Sequence, residues 1–274
     1  MSEALHVLFG RRFGEDELVA VFSLRLDETG TDGLSPITVV AGAVATKDQW
    51  DKLEDRWQAI MSRNGVDNFH AKEFNGRLAP FNDWSHLKRS RFVDALQRTV
   101  ARNTTFRASV GIEHAVHKEI KARWKGISGF NADSDYGLCL RYLMFSTSEE
   151  LLKIDAHHQL TVMVEDGPWS EGAYATYRRV SAMQGKWKPA KHAHRLAGFA
   201  AVPFGERPSL EAADFICDQE HARMKAGLRR SQGDTLSVVL TRDILEQWHA
   251  GMMKEKETRR AYGARKPKSG ASEE

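Results

Sequence analysis

Two apolar, β-rich runs joined by a string of turn residues set the frame of this chain. Leu18 to Leu26 reads LVAVFSLRL, Asp27 to Pro36 reads DETGTDGLSP, and Ile37 to Val44 reads ITVVAGAV. Runs of this length rich in Val, Ile and Phe are strands with buried faces, and a segment of Asp, Gly, Ser and Pro between them is a reversal. The two runs are expected to pair antiparallel, with Asp27 and Glu28 at the end of the first strand.

The pattern then changes period. Thr46 and Gln49 have the spacing of a capping box, and Trp50, Leu53, Trp57, Ile60 and Met61 fall on one face of a helix that should stop near Asn64-Gly65. Asn68 to Asp83 is read as irregular. A second amphipathic helix is expected over Ser85 to Arg102, with Leu87, Phe92, Leu96 and Val100 inward. Thr105 to Glu113 alternates as a half-buried strand. Helices are expected over His114 to Trp124, Tyr136 to Ile154 and Tyr174 to Met183. Strands are expected over Leu160 to Val164 and Leu196 to Pro203. A helix opening at Pro208 or Ser209 and running to Lys225 is followed by a last helix over Leu236 to Lys256. Helices that repeatedly interrupt strands predict an α/β fold, a mixed sheet covered by helices. No linker stands out, so residues 1–258 are read as one domain and 259–274 as a polar, charged tail.

Composition serves mainly to exclude. The chain has 274 residues, 41% hydrophobic and 28% charged. With a mean hydropathy of -0.50 this argues against a membrane protein and against global disorder. No apolar run approaches the roughly 18 residues of a spanning helix. Met1 to Phe9 lacks the pattern of a signal peptide, so a cytoplasmic location is expected. Cys139 and Cys217, both in apolar settings, are read as core residues. The net charge of +3 says little, but two basic segments stand out. Gly185 to Arg195 reads GKWKPAKHAHR and a second cluster spans Arg223 to Arg230. Either could hold a phosphate backbone or simply be solvated surface. Nucleic acid is therefore the expected partner; the oligomeric state is left open, a homodimer included.

The acidic residues carry the chemistry. Asp27-Glu28 and Glu165-Asp166 each end an expected strand, and Glu211 and Asp214 share a face of the late helix. Asp214 sits in AADFIC, where a bare carboxylate needs a partner. Carboxylates converging from separate segments repel, and a divalent ion with a taste for hard oxygen, Mg2+ or Mn2+, resolves the repulsion. Two such ions can drive phosphodiester cleavage. Each acid also has an ordinary reading: Asp27 in an Asx-turn, Glu165-Asp166 as turn residues before Gly-Pro, and Asp214 paired with a buried Arg.

Taken together these strings resemble a prokaryotic group, the domain-of-unknown-function family thirty-eight-hundred. DETG after an apolar strand, then VVAGAV and a Trp-rich helix, resemble its opening; FHAKEF at Phe69 to Phe74 resembles its His-containing element. LTVMVED at Leu160 to Asp166 resembles its acidic strand end, and SLEAADFI at Ser209 to Ile216 its closing helix. The resemblance runs from about Leu18 to Met224. It implies an RNase H-like mixed sheet with helical insertions and a carboxylate metal site, and a nuclease, in some members linked to mobile elements or phage defence. Position by position, Asp27 and Glu28 match the first motif, Asp166 or else Glu165 the middle acid, and Asp214 the last. Thr29 replaces the usual Ser and Glu211 stands where Gln is common, adding a possible ligand. His70 and Lys72 join the candidates, the first to orient water or contact phosphate and the second to neutralise charge.

Three functions follow as expectations. The first is a magnesium-dependent nuclease using Asp27, Glu28, Asp166 and Asp214. The second is a non-catalytic RNase H-like module that binds nucleic acid or a partner. The third is a zinc hydrolase drawing on His70, His157, His158, His192 and His194, for which no HExxH motif is present.

Overall fold

The computed structural model describes residues 20–124, 133–182, 195–203, 205–227, 235–247 and 250. Its strands are β1 (Val21–Thr29), β2 (Ile37–Thr46), β3 (Phe106–Glu113), β4 (Gln159–Glu165), β5 (Leu196–Val202) and β6 (Thr235–Leu240). The helices are α1 (Lys47–Asn64), α2 (Ala71–Gly76), α3 (His86–Asn103), α4 (His114–Arg123), α5 (Asp135–Leu151), α6 (Ser170–Ser181) and α7 (Pro208–Lys225).

All six strands form one sheet in the order β5-β4-β1-β2-β3-β6. The β1–β2 and β2–β3 pairs are antiparallel, whereas β4 lies parallel to β1, β5 to β4 and β6 to β3. With helices on both faces, this is the mixed α/β sheet covered by helices expected above. The reversal after β1 turns on Gly30, whose φ of +75° suits glycine and whose Cβ would lie 2.0 Å from the Ile37 carbonyl oxygen. Gly42 admits β1 at close range, since a Cβ there would lie 1.9 Å from the Arg25 carbonyl oxygen.

Alternation divides the core in two. Phe22, Leu24 and Leu26 of β1 face a cluster with Leu140, Leu143 and Met144 of α5. On the other face Val39, Ala41 and Ala43 of β2 meet Trp50, Leu53 and Trp57 of α1, Phe92 and Leu96 of α3, and Phe215 of α7. Each such large side chain, once fully buried, contributes roughly 1.5–3 kcal/mol. The α1 capping box is present: the Thr46 side chain accepts from the Gln49 amide, and Gln49 accepts from the Thr46 amide. Gly65 closes the helix in the left-handed conformation.

Three expectations are corrected. Residues 235–240 are the edge strand β6, with Ala108 level with Leu236 and Ile112 level with Leu240, and helix starts only at 242. A short apolar run is ambiguous in period, and here the β-branched Val238 and Val239 side with the strand. Leu87, expected inward, is 58% exposed in the first turn of α3. The segment 68–83 is not wholly irregular, because His70 caps the short helix α2. Among the described residues no helix is long and apolar enough to cross a membrane. The tail 259–274 and most of the basic segment 185–195 lie outside the described residues.

Candidate active site

The register of β1 and β4 decides which acids meet. Leu26 is level with Val164, so Glu165 follows beside Asp27 at the same end of the sheet. Side chains at 25 and 27 point away from the Leu24 and Leu26 core, toward α1 and α7. Asp214 rises from α7 onto that face, and its carboxyl interacts directly with that of Asp27. The Cys217 thiol, one turn further along α7, bonds the Asp27 carbonyl at 3.3 Å. Glu28 points to the opposite face but lies at the same strand end.

The electrostatics record the crowding. Burial, then the negative charges of Glu28, Asp214 and Glu165, hold the Asp27 carboxyl well above its usual range. Burial and Glu165, with a smaller push from Asp214, raise Glu28 to about 7. Glu165 is raised by burial and by Asp214, against the pull of His70. Asp214 is raised by burial, opposed by the hydrogen bond it accepts from the Ala71 amide at 2.8 Å and by nearby His70. His70 Nδ1 stands 3.8 Å from Asp214 Oδ2. Among the described residues no Lys or Arg forms an ion pair with Asp27, Glu28, Glu165 or Asp214. Arg25 is the nearest cation along β1, but Glu54 of α1 and Ser209 of α7 hold it. The expected alternative of Asp214 paired with a buried arginine is thus not what the structure contains.

Two expected ligands are placed elsewhere. Asp166 lies past the end of β4, exposed, and accepts from Ser170 Oγ at 2.9 Å where α6 begins. The preference for Asp166 over Glu165 is therefore reversed, because strand alternation sends the odd-numbered neighbour to the face of Asp27. Glu211 is buried, and its Oε2 accepts from Trp57 Nε1 and from the Phe69 amide, each at 2.9 Å. Its other oxygen faces the Asn68 amide at 3.2 Å. With Oε2 engaged twice in this way, Glu211 anchors the segment carrying His70 and Ala71. Its signal in the sequence was the buried setting next to Trp57 and Phe69, which only the fold brings together.

Lys72 is exposed on α2, its amide bonded to His70 Nδ1 at 3.3 Å. His158 is buried, bonded to the Asp155 carbonyl at 2.8 Å, and with His157 it precedes β4, at the opposite end from Glu165. His192 and His194 lie outside the described residues, and the described histidines do not gather into a zinc site. Arg223 is not a surface phosphate contact either: it pairs with buried Glu220 at 2.6 Å and bonds Ser237.

The donor set at the cluster fits a hard divalent cation in kind, being carboxylate oxygens alone with uncompensated charge. Among the described residues, however, no three His, Cys, Asp or Glu side chains are placed to hold one ion. Repulsion of this kind is relieved either by a shared proton or by a cation.

No protein-family model matches the chain, and no curated protein matches it. Among solved structures it is similar to Bst-RNase HIII in complex with Mn2+, at 14% identity and a TM-score of 0.37, over 77% of this chain and 57% of that one. It is also similar to a point mutant of Bst-RNase HIII, at 13% identity and a TM-score of 0.38, over 82% and 66% of the two chains. The chain thus spans less than two thirds of the length of either. Likeness at this level carries no argument about fold family or activity.

Proposed function

We propose that this chain is a divalent-metal-dependent nuclease, with Mg2+ or Mn2+ as its ion, and that it belongs to the domain-of-unknown-function family its motifs resemble. One observation carries the reading: four carboxylates from β1, β4 and α7 crowd one sheet end with no Lys or Arg partner among the described residues. A folded chain rarely keeps such repulsion without a use for it.

Asp27, Glu165 and Asp214 are the carboxylates that would have to draw together around the ion, since as they stand no three such side chains among the described residues reach one point. A bound divalent cation would polarise a phosphate oxygen and acidify water. Glu28, at the same strand end but on the opposite face, would be a further carboxylate near the ion, and a bound cation would draw its raised carboxyl back down. The Ala71 amide and His70 fix the carboxylate of Asp214, and Glu211 fixes the loop that supplies both. Basic residues in 185–195 would track the backbone of a nucleic acid.

A second reading, a non-catalytic binding module, is favoured by the absence among the described residues of three side chains within reach of one ion. Cleavage separates the two. The purified chain is incubated with labelled single- and double-stranded DNA and RNA, with Mg2+ or Mn2+ and with chelator. The nuclease reading expects cation-dependent cleavage that disappears in Asp27→Asn and Asp214→Asn while both variants stay folded. Binding without cleavage on every substrate, or full activity in both variants, overturns it.

A further inference from the structure

We propose that a recess at the same sheet end receives an unpaired nucleobase of the substrate strand. The proposal rests on the nuclease reading for its context but not for its test. The recess has a volume of about 310 Å3, which suits one nucleoside-sized group. Its walls include Thr38 of β2, His114 at the start of α4, Asp135 and Tyr136 at the start of α5, Lys121 of α4, and Trp169 just before α6.

Its position ties it to the acids. Glu28 is level with Val40 on β2, and Thr38 is the next residue on that face toward the sheet end. Thr38 is level in turn with Ile112 on β3, and His114 follows two residues later. The recess therefore opens one same-face step from Glu28. Trp169 belongs to the connection that leaves β4 directly after Glu165, so both sites hang on one short segment.

The chemistry of the walls selects the ligand. Trp169 is 37% exposed and leans on buried Tyr136, their ring centroids 6.0 Å apart and tilted by 36°. A supported, open indole is a stacking platform, the usual means by which proteins hold unpaired bases. Hydrogen-bonding groups stand beside it. His114 Nε2 is 2.8 Å from Thr38 Oγ1 and 3.6 Å from Asp135 Oδ2, and His117 bonds the other Asp135 oxygen. Asp135 can accept from an amino or ring N–H group, and Lys121 can donate to a carbonyl or ring nitrogen. With one Lys and one Asp the recess has little net charge, which suits a neutral heteroaromatic ring better than a phosphate. Nor are three of its side chains placed to hold a metal ion.

The test measures binding in chelator with the Asp27→Asn chain, so cleavage plays no part. Probes are a short labelled single-stranded oligonucleotide, the same backbone made abasic, and a mononucleotide as competitor. The base-bearing oligonucleotide should bind more tightly than the abasic one. Trp169→Ala should weaken it about 10-fold and erase that difference, while Trp169→Phe keeps most of it. Equal binding of abasic and base-bearing strands overturns the proposal, as does unchanged affinity in a folded Trp169→Ala chain. If Trp169→Ala does not fold, the abasic comparison decides alone. A mononucleotide competing as strongly as the oligonucleotide would overturn the strand as the source of the base. Failure of cleavage with base preference intact would count against the nuclease and not against the recess.

Discussion

Glu28 makes the crowding at the sheet end measurable as a dependence of stability on pH. Its carboxyl rises from an ordinary 4.5 in the unfolded chain to about 7 in the folded one, through burial and then the charge of Glu165. Because folding raises the pKa, the native state favours the protonated form. Its contribution is complete below 4.5 and is lost as pH rises through about 7. That change is worth about 3 kcal/mol at pH 8. Urea unfolding of wild type and Glu28→Gln at pH 5 and pH 8 measures it, together with the relief of Asp27, whose carboxyl the Glu28 charge also raises. Relative to wild type, Glu28→Gln should gain about 2.5 kcal/mol more at pH 8 than at pH 5, where part of the contribution is already lost. A divalent cation should act the same way on wild type: at about 100 times its dissociation constant it adds about 2.7 kcal/mol, and it should do so at pH 8 far more than at pH 5. A Glu28→Gln difference that is equal at the two pH values would refute the assignment of Glu28 to a crowded, buried cluster. A cation without effect at pH 8 would refute the cluster as a metal site.

Two further outcomes follow from side-chain placement. Glu165→Gln should reduce cation-dependent cleavage at least as severely as Asp214→Asn, whereas Asp166→Asn should leave it within a few-fold of wild type; kcat measured side by side for the three variants decides, and the opposite ranking would restore Asp166 as the middle acid. Glu211→Ala leaves the Trp57 indole and the Phe69 amide unpartnered and should cost about 2–4 kcal/mol in urea unfolding, with Glu211→Gln costing less because it keeps an acceptor; equal and negligible losses would show that Glu211 does not anchor the loop.

Much of this arrangement is legible in the chain because local rules and burial agree. The β1–β2 pair, the Thr46 capping box and the start of α7 at Pro208 follow from turn residues, cap spacing and proline, all of which act within a few residues. Asp27 and Asp214 were identifiable because one ends an apolar strand and the other interrupts an apolar helix face. What escaped depends on partners far along the chain. Glu165 and Asp166 are neighbours, and only the register against β1 tells which one turns toward Asp27. Glu211 looks like a ligand until Trp57 and Phe69 are folded against it. The β6 segment reads as helix because six residues cannot separate the two periods; its pairing with β3 does. Arg223 looks like surface charge until Glu220 and Ser237 are seen beside it.

The dependence of the cluster on α7 also sets an order of events. β1 and β2 form a hairpin from adjacent sequence, so Asp27 and Glu28 can be placed early and cheaply. Glu165 arrives with β4, and Asp214 and Glu211 come only with α7, after five of the six strands have been laid down in sequence. A chain that has not yet reached α7 therefore holds Asp27 and Glu28 at an open strand end, without the charges of Glu165 and Asp214 beside them. The confinement that makes them useful is imposed late, by the helix that also locks the loop carrying His70. Until α7 docks, the sheet end thus lacks both Asp214 and the Glu211 anchor of the loop that carries His70.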